Sequence, residues 1–414
     1  MLLGKYSFGV GDMFGCQGEA QLEAVMQGAE EGLDITPVWN KSNREHTITG
    51  TRPADVRQEG DDAVKAHGWE GAYFVDADHI GLGNVDEFIE SSDFFTLDVA
   101  DFIGSGSVDA DVEAFVDKYS KYVGSLAVDG INQAFEISGE SVVAAARNYL
   151  AAVKEAGKIY RHIEAAKGKG NYITEVSMDE TEQPQTPVEM LFILAAIAEE
   201  GIPVQTIAPK FSGRFNKGVD YVGVVEKFAR EFEEDVAIAA FAVREFGLPA
   251  GLKLSVHSGS DKFSIYGPIN KVLKKFDAGV HIKTAGTTWL EELTGLAMAG
   301  GSGLVIAKRI YAKALSRMGE LCGPYATVID IDSANLPSVQ EVEGWDGQRF
   351  ADTLRHNQAC EHYNSDFRQL LHVGYKVAAE MGTSFTDALR KYEDIIGQNV
   401  RENIYDRHIK PIFY

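Results

Sequence analysis

Along this chain, short apolar runs alternate with longer stretches of helical spacing, and a polar or charged residue stands where most runs stop. Eight such runs read as strands: 5–12, 35–41, 72–79, 95–101, 171–177, 203–210, 252–257 and 279–283. Strands that alternate with helices argue for βα units and a parallel sheet, and eight of them suit a closed barrel. Between the runs, residues 19–31 have helical spacing. Thr186-Pro187 opens a helix that runs to Glu200 and stops at Gly201, the hydroxyl capping and the proline fitting the first turn. Residues 219–246 form a long amphipathic stretch closed by Gly247 and Pro249. The segment of about 108–167 is too long for one crossover helix and predicts a helical insertion of two or three helices. After the last strand, 337–414 predicts a helical extension, clearest over 350–374 and 385–401. No linker, repeat or composition break divides the chain. The expected fold is one α/β domain over 1–414, a TIM-type (β/α)8 barrel with a helical insertion and a C-terminal helical extension.

Barrel chemistry sits at the carboxyl ends of the strands. The polar residues closing the runs are Asp12, Lys41, Asp76 with Asp78 and His79, Asp98 with Asp101, Glu175, Lys210, His257, and His281 with Lys283. Singly, each histidine reads as a hydrogen-bonded strand residue. Together at strand ends, His79, His257 and His281 predict a divalent-metal site with open positions for substrate oxygens; manganese, nickel, zinc, cobalt and iron all accept imidazole. Asp78 and Glu175 are the carboxylates placed for proton transfer on two faces of a substrate, although Glu175 could equally serve as a salt-bridged structural acid. Asp78 and His79 face opposite ways on a regular strand, so a bulge is needed to bring both to one site. The loop 210–217, with Lys210 and Arg214 around Gly213, is the candidate basic pocket, and Lys262 follows His257; Lys210, Arg214 and Lys262 are the candidate substrate contacts, with His372 beside them.

Charge and cysteine count narrow the function. Of 414 residues, 39 are Lys or Arg and 62 are Asp or Glu, a net charge of −23. That field repels nucleic acid and anionic membranes, so neither is an expected partner; a small anion would need a local basic pocket. The three cysteines show no CxxC spacing, no apolar run reaches a membrane span, and no dinucleotide, P-loop or GxSxG motif is present. A cytoplasmic enzyme is expected.

Five stretches carry a family resemblance: VDADH (75–79), EVSMDET (175–181), IAPKFSGRFNKGVDYVG (207–223), LKLSVHSGSDKFSIY (252–266) and LLHVGYK (370–376). They resemble the tagaturonate epimerase family. The resemblance implies a metal-dependent isomerase of hexuronate catabolism interconverting D-tagaturonate and D-fructuronate, with His79, His257 and His281 as ligands and Asp78 and Glu175 as the acid–base pair. It implies a small sugar acid as the partner and leaves self-association into a homo-oligomer open. The neighbouring expectation is a metal-dependent aldolase or ketose epimerase acting on neutral or phosphorylated sugars, for example between fructose and tagatose. A sugar-acid binding protein without catalysis is the third.

Overall fold

The computed structural model describes residues 1–284 and 286–414. All eight runs form strands, β1 (Tyr6–Val10), β2 (Ile35–Ser42), β3 (Phe74–Ile80), β4 (Phe94–Asp98), β5 (Ile173–Ser177), β6 (Thr206–Ala208), β7 (Lys253–Val256) and β8 (Val280–Lys283). They close a parallel barrel in the order β1-β8-β7-β6-β5-β4-β3-β2, sealed by Ser7 pairing with His281 in register. The strands are buried nearly end to end, as expected when one face meets helices and the other fills the barrel.

The crossover helices follow their sequence signals. Helix α1 (Gly18–Glu30) and helix α2 (Pro53–His67) join the first three strands. Helix α3 (Gly139–Lys167) precedes β5, and α4 (Pro187–Glu199) follows it. The capping box of α4 is complete, with Thr186 Oγ1 accepting from the Glu189 N–H and Glu189 Oε2 accepting from the Thr186 N–H. Helix α5 (Val225–Phe246) starts six residues later than 219, because Val222 pairs through its backbone with Arg214 instead. Helix α6 (Phe263–Phe276) leads to β8, and α7 (Thr287–Ala299) begins the C-terminal helices.

Three departures matter. The β3–β4 connection holds only a 3-10 turn, Val85–Glu87, and no α-helix. The insertion contains helices Asp109–Tyr119 and α3, but also a two-stranded hairpin, Gly124–Leu126 with Phe135–Ile137. The expected helix over 350–374 is broken into Gly347–Leu354 and α8 (Ser365–His372), since Asn364 Oδ1 accepts from the Phe367 N–H and starts a new helix. Among the described residues, no helix is long and apolar enough to cross a membrane.

Inside the barrel the side chains lie in layers. Leu3, Val38, Phe74, Phe94 and Ile173 form a separate buried apolar cluster at the amino end of the strands. Two residues further along the same strands stand Asn40, Asp76, Thr96 and Glu175, all buried. The alternation of strand side chains therefore carries each strand from an apolar plug into a polar mouth.

Candidate metal and acid–base site

The mouth is organised by Lys283. Its ammonium donates to Asp76 Oδ2 at 2.7 Å, Asp78 Oδ1 at 2.8 Å and Thr96 Oγ1 at 2.6 Å, and lies 3.0 Å from Glu175 Oε1. Gly9 is its neighbour in register on β1, where an added Cβ would come within 3.2 Å of Lys283 Cγ. Burial would lower the Lys283 pKa, but the surrounding carboxylates hold it well above the usual lysine range. Asp78 and Glu175 are correspondingly held well below the usual carboxylate range: burial would raise them, and Lys283 with the nearby histidines outweighs it.

Each of these two carboxylates also holds a histidine. His79 Nδ1 lies 3.0 Å from Asp78 Oδ1, and His257 Nε2 lies 2.7 Å from Glu175 Oε1. Asp78 and His79 both reach the mouth because the β3 register shifts between Ala77 and Ile80, where His79 takes a φ of 54°. Ser258, directly after His257, has a φ of 49°. Left-handed backbone at non-glycine positions costs energy and clusters at functional sites.

The remaining ring nitrogens converge on Asp179. His79 Nε2 is 3.4 Å and His257 Nδ1 is 3.2 Å from Asp179 Oδ1. These three side chains offer ligand atoms that all lie within 4.8 Å of one another. The donor set fits a divalent transition metal: two imidazoles and a carboxylate, with each imidazole oriented through its other nitrogen by a second carboxylate. His257 Nδ1 makes no hydrogen bond among the described residues, as a nitrogen reserved for a cation would. Burial would push His257 down, yet Asp179 and Glu175 bring it up to about 9, so the pocket carries a field that attracts positive charge.

Of the three histidines expected as ligands, the structure brings His79 and His257 together and sets His281 apart. His281 lies a layer deeper than His257, in register with Ser7 and Ser255, with Nδ1 2.9 Å from Ser7 Oγ. The two-residue period of β8 aims Lys283, not His281, at the mouth, and Asp179 joins the histidines instead. Asp179 stands two residues beyond Ser177 on the inward side of β5, and Lys283 two residues beyond His281. That period was the signal available for both.

The expected substrate contacts separate as well. Lys262 donates to the carbonyls of Asn216, Val219 and Ser260 at 2.8–2.9 Å, so it fastens the 216–219 loop and has no proton left for a ligand. Arg214 turns outward to Asp330 at 3.1 Å. Lys210 ends the β6 segment half-buried, its backbone fastened on both sides to Gln185. His372 is buried against the loops after β6 and β8, where a Cβ at Gly218 or Gly286 would come within 3.1 or 2.3 Å of its ring.

Comparison with known proteins agrees with this architecture. A family model described as tagaturonate epimerase matches residues 2–412. A Thermotoga maritima protein, tagaturonate/fructuronate epimerase, is 26% identical over 421 residues, covering 98% of this chain and 80% of its own length. The two-glycerol complex of the fructuronate-tagaturonate epimerase of Cohnella laeviribosi matches at a TM-score of 0.82 and 23% identity, over 100% of this chain and 82% of that one. The native form of that protein matches at 0.78 over 98% and 81%. At this identity the structures speak for the fold.

Proposed function

The chain belongs to the tagaturonate epimerase family, and we propose that it interconverts D-tagaturonate and D-fructuronate by divalent-metal-assisted retro-aldol chemistry. The observation that carries this reading is the closed ring in which Lys283 joins Asp78 and Glu175, and these in turn orient His79 and His257 toward Asp179. His79, Asp179 and His257 would hold the metal. When bound, it would supply Lewis-acid stabilisation of negative charge on the substrate ketone oxygen.

The two sugar acids differ at a carbon β to the ketone, whose C–H bond is not acidic. Deprotonation at carbon is therefore poor chemistry, and breaking the C–C bond between that carbon and its neighbour solves the problem. Glu175 Oε2 has no hydrogen-bond partner among the described residues, and it takes the proton of the hydroxyl on the epimeric carbon. The C–C bond then breaks, leaving an aldehyde half and the enediolate half of the ketone. The aldehyde turns over and the bond re-forms on its other face, generating an alkoxide on the side of Asp78. Lys283 touches both carboxylates, so it passes a proton through Asp78 to that alkoxide and is reloaded from Glu175. Atoms and charge then balance, and the reverse reaction uses the same path.

The test is incubation of the protein with tagaturonate in the presence of manganese, nickel, zinc or cobalt. Fructuronate should form, Glu175→Gln should abolish turnover even at metal concentrations that saturate its weakened site, and Asp179→Asn should lose bound metal. No fructuronate with any metal sinks the reading; accumulation of free three-carbon products would make the protein an aldolase instead.

A further inference from the structure

Most cations around the mouth are already engaged. Lys283 serves carboxylates, Lys262 serves three carbonyls, and Arg214 pairs with Asp330. Arg368, fully buried, donates to Asp261 Oδ2 at 2.9 Å, to the Leu354 carbonyl at 2.8 Å and to the Gly218 carbonyl. Lys41 donates to the Met13 carbonyl at 2.7 Å. Lys217 differs. Lys217 is half-buried, and the one hydrogen-bond partner of its ammonium among the described residues is the neutral Ser258 hydroxyl at 3.2 Å. In a chain with 62 acidic residues, a cation at the rim without an acidic partner is placed for an anion from outside.

The surroundings of Lys217 are built and held. Ser258 follows His257 directly, so the ammonium sits one residue from a ring that faces Asp179. The loop is fastened on both sides: the Lys217 N–H donates to the Val328 carbonyl at 2.8 Å, and Lys262 holds the carbonyls of Asn216 and Val219. His372 packs against the adjoining Gly218 and Gly286. Burial pushes that imidazole down to about 3, with Lys217 and Arg368 adding to the effect, so it forms a neutral wall that does not compete for the anion.

We infer that Lys217, with the Ser258 hydroxyl beside it, anchors the carboxylate of the substrate and so selects sugar acids over neutral ketoses. This rests on the epimerase reading and adds a role within it. When the C–C bond breaks, the carboxylate stays on the aldehyde half, which is the half that must turn. An ammonium on a flexible stem holds a carboxylate through rotatable donors, whereas a guanidinium fork fixes its plane. Lys217 therefore retains the fragment while allowing it to rotate. It is a substrate-binding residue with no part in proton transfer.

The experiment compares the metal-loaded wild type, Lys217→Met and Lys217→Arg with tagaturonate, reading KM, kcat, bound metal and free dihydroxyacetone. Loss of a charge-assisted hydrogen bond should raise KM of Lys217→Met by about 10- to 100-fold. Its kcat should change less, its bound metal should not change, and dihydroxyacetone should escape. Lys217→Arg should keep KM within about fivefold of wild type while turning over more slowly. An unchanged KM in Lys217→Met overturns the anchor, and so does a Lys217→Arg as poor in KM as Lys217→Met, since packing would then be the cause. Lost metal in Lys217→Met overturns it as well. A wild type that forms no fructuronate removes the epimerase reading and the anchor with it; an active wild type with an indifferent Lys217→Met removes the anchor alone.

Discussion

The two ends of the barrel interior are built from the same strands by opposite means. At the amino end, Val38, Phe74, Phe94 and Ile173 fill the lumen with Leu3 as a plug of apolar side chains. At the carboxyl end, the inward positions of those strands become Asn40, Asp76, Asp78, Thr96 and Glu175, and the last four lie against Lys283. The plug is favourable outright, since each buried aliphatic or aromatic side chain contributes roughly 1.5–3 kcal/mol. The mouth is not: buried charges are costly to desolvate and tolerable only when every partner is present. Stability is concentrated at one end, and chemistry is placed at the other.

That division can be broken at three points, in decreasing order of expected effect. Lys283→Met leaves the carboxylates of Asp76, Asp78 and Glu175 facing one another without their cation. It should cost about 3–5 kcal/mol of stability. Because the outer partners of both histidines lose their anchor, divalent-metal affinity should fall about 10- to 100-fold. Denaturant titration and metal competition read the two separately, and a stability loss with unchanged metal affinity would reduce the ring to scaffolding. Ile173→Ala, in the plug, should cost about 2–5 kcal/mol while leaving metal affinity within about threefold. If metal binding collapses too, plug and mouth are one unit.

The third point is a charge at the apolar end. Lys253 donates to the carbonyls of Gly4 and Lys5 beneath the plug, and burial pushes its pKa down to about 7 although Glu175 pulls it up. The unfolded chain holds that proton up to the ordinary value of 10.5, so between about pH 7 and 10.5 it binds more protons than the folded chain. Folded stability should therefore rise with pH in that window, by about 1.4 kcal/mol per unit at most from this group. Lys253→Met should lack that slope, and its thermal midpoint should gain on wild type as pH falls from 9 to 7. Parallel pH profiles would show that Lys253 keeps its charge through its two carbonyls.

Much of this architecture was legible in the chain. The eight strands could be found because apolar runs and helical spacing alternate without interruption, and Thr186-Pro187 marked its helix start. His79, His257, Asp78 and Glu175 stood out because polar residues are rare inside a barrel, and the structure brings all four to the mouth. The hairpin at 124–137 was missed because its strands are only three residues long. Lys262 and Arg214 looked like substrate contacts because charge and loop position were the available clues. Only their partners, three carbonyls and Asp330, show where those charges are used.

By itself, the sequence determined the barrel, its polar rim and the pair of histidines at that rim, because these depend on periodicity within single strands. The two-residue period offers both His281 and Asp179 as inward residues, and tertiary structure decided which of them lies beside the pair. Whether His281 or Asp179 reaches the same point depends on the stagger between strands and on a bulge in β3. Neither is encoded in the pattern of any one segment. The same holds for Lys217, whose importance lies in the acidic partner it does not have among the described residues, a relation between loops distant in the chain.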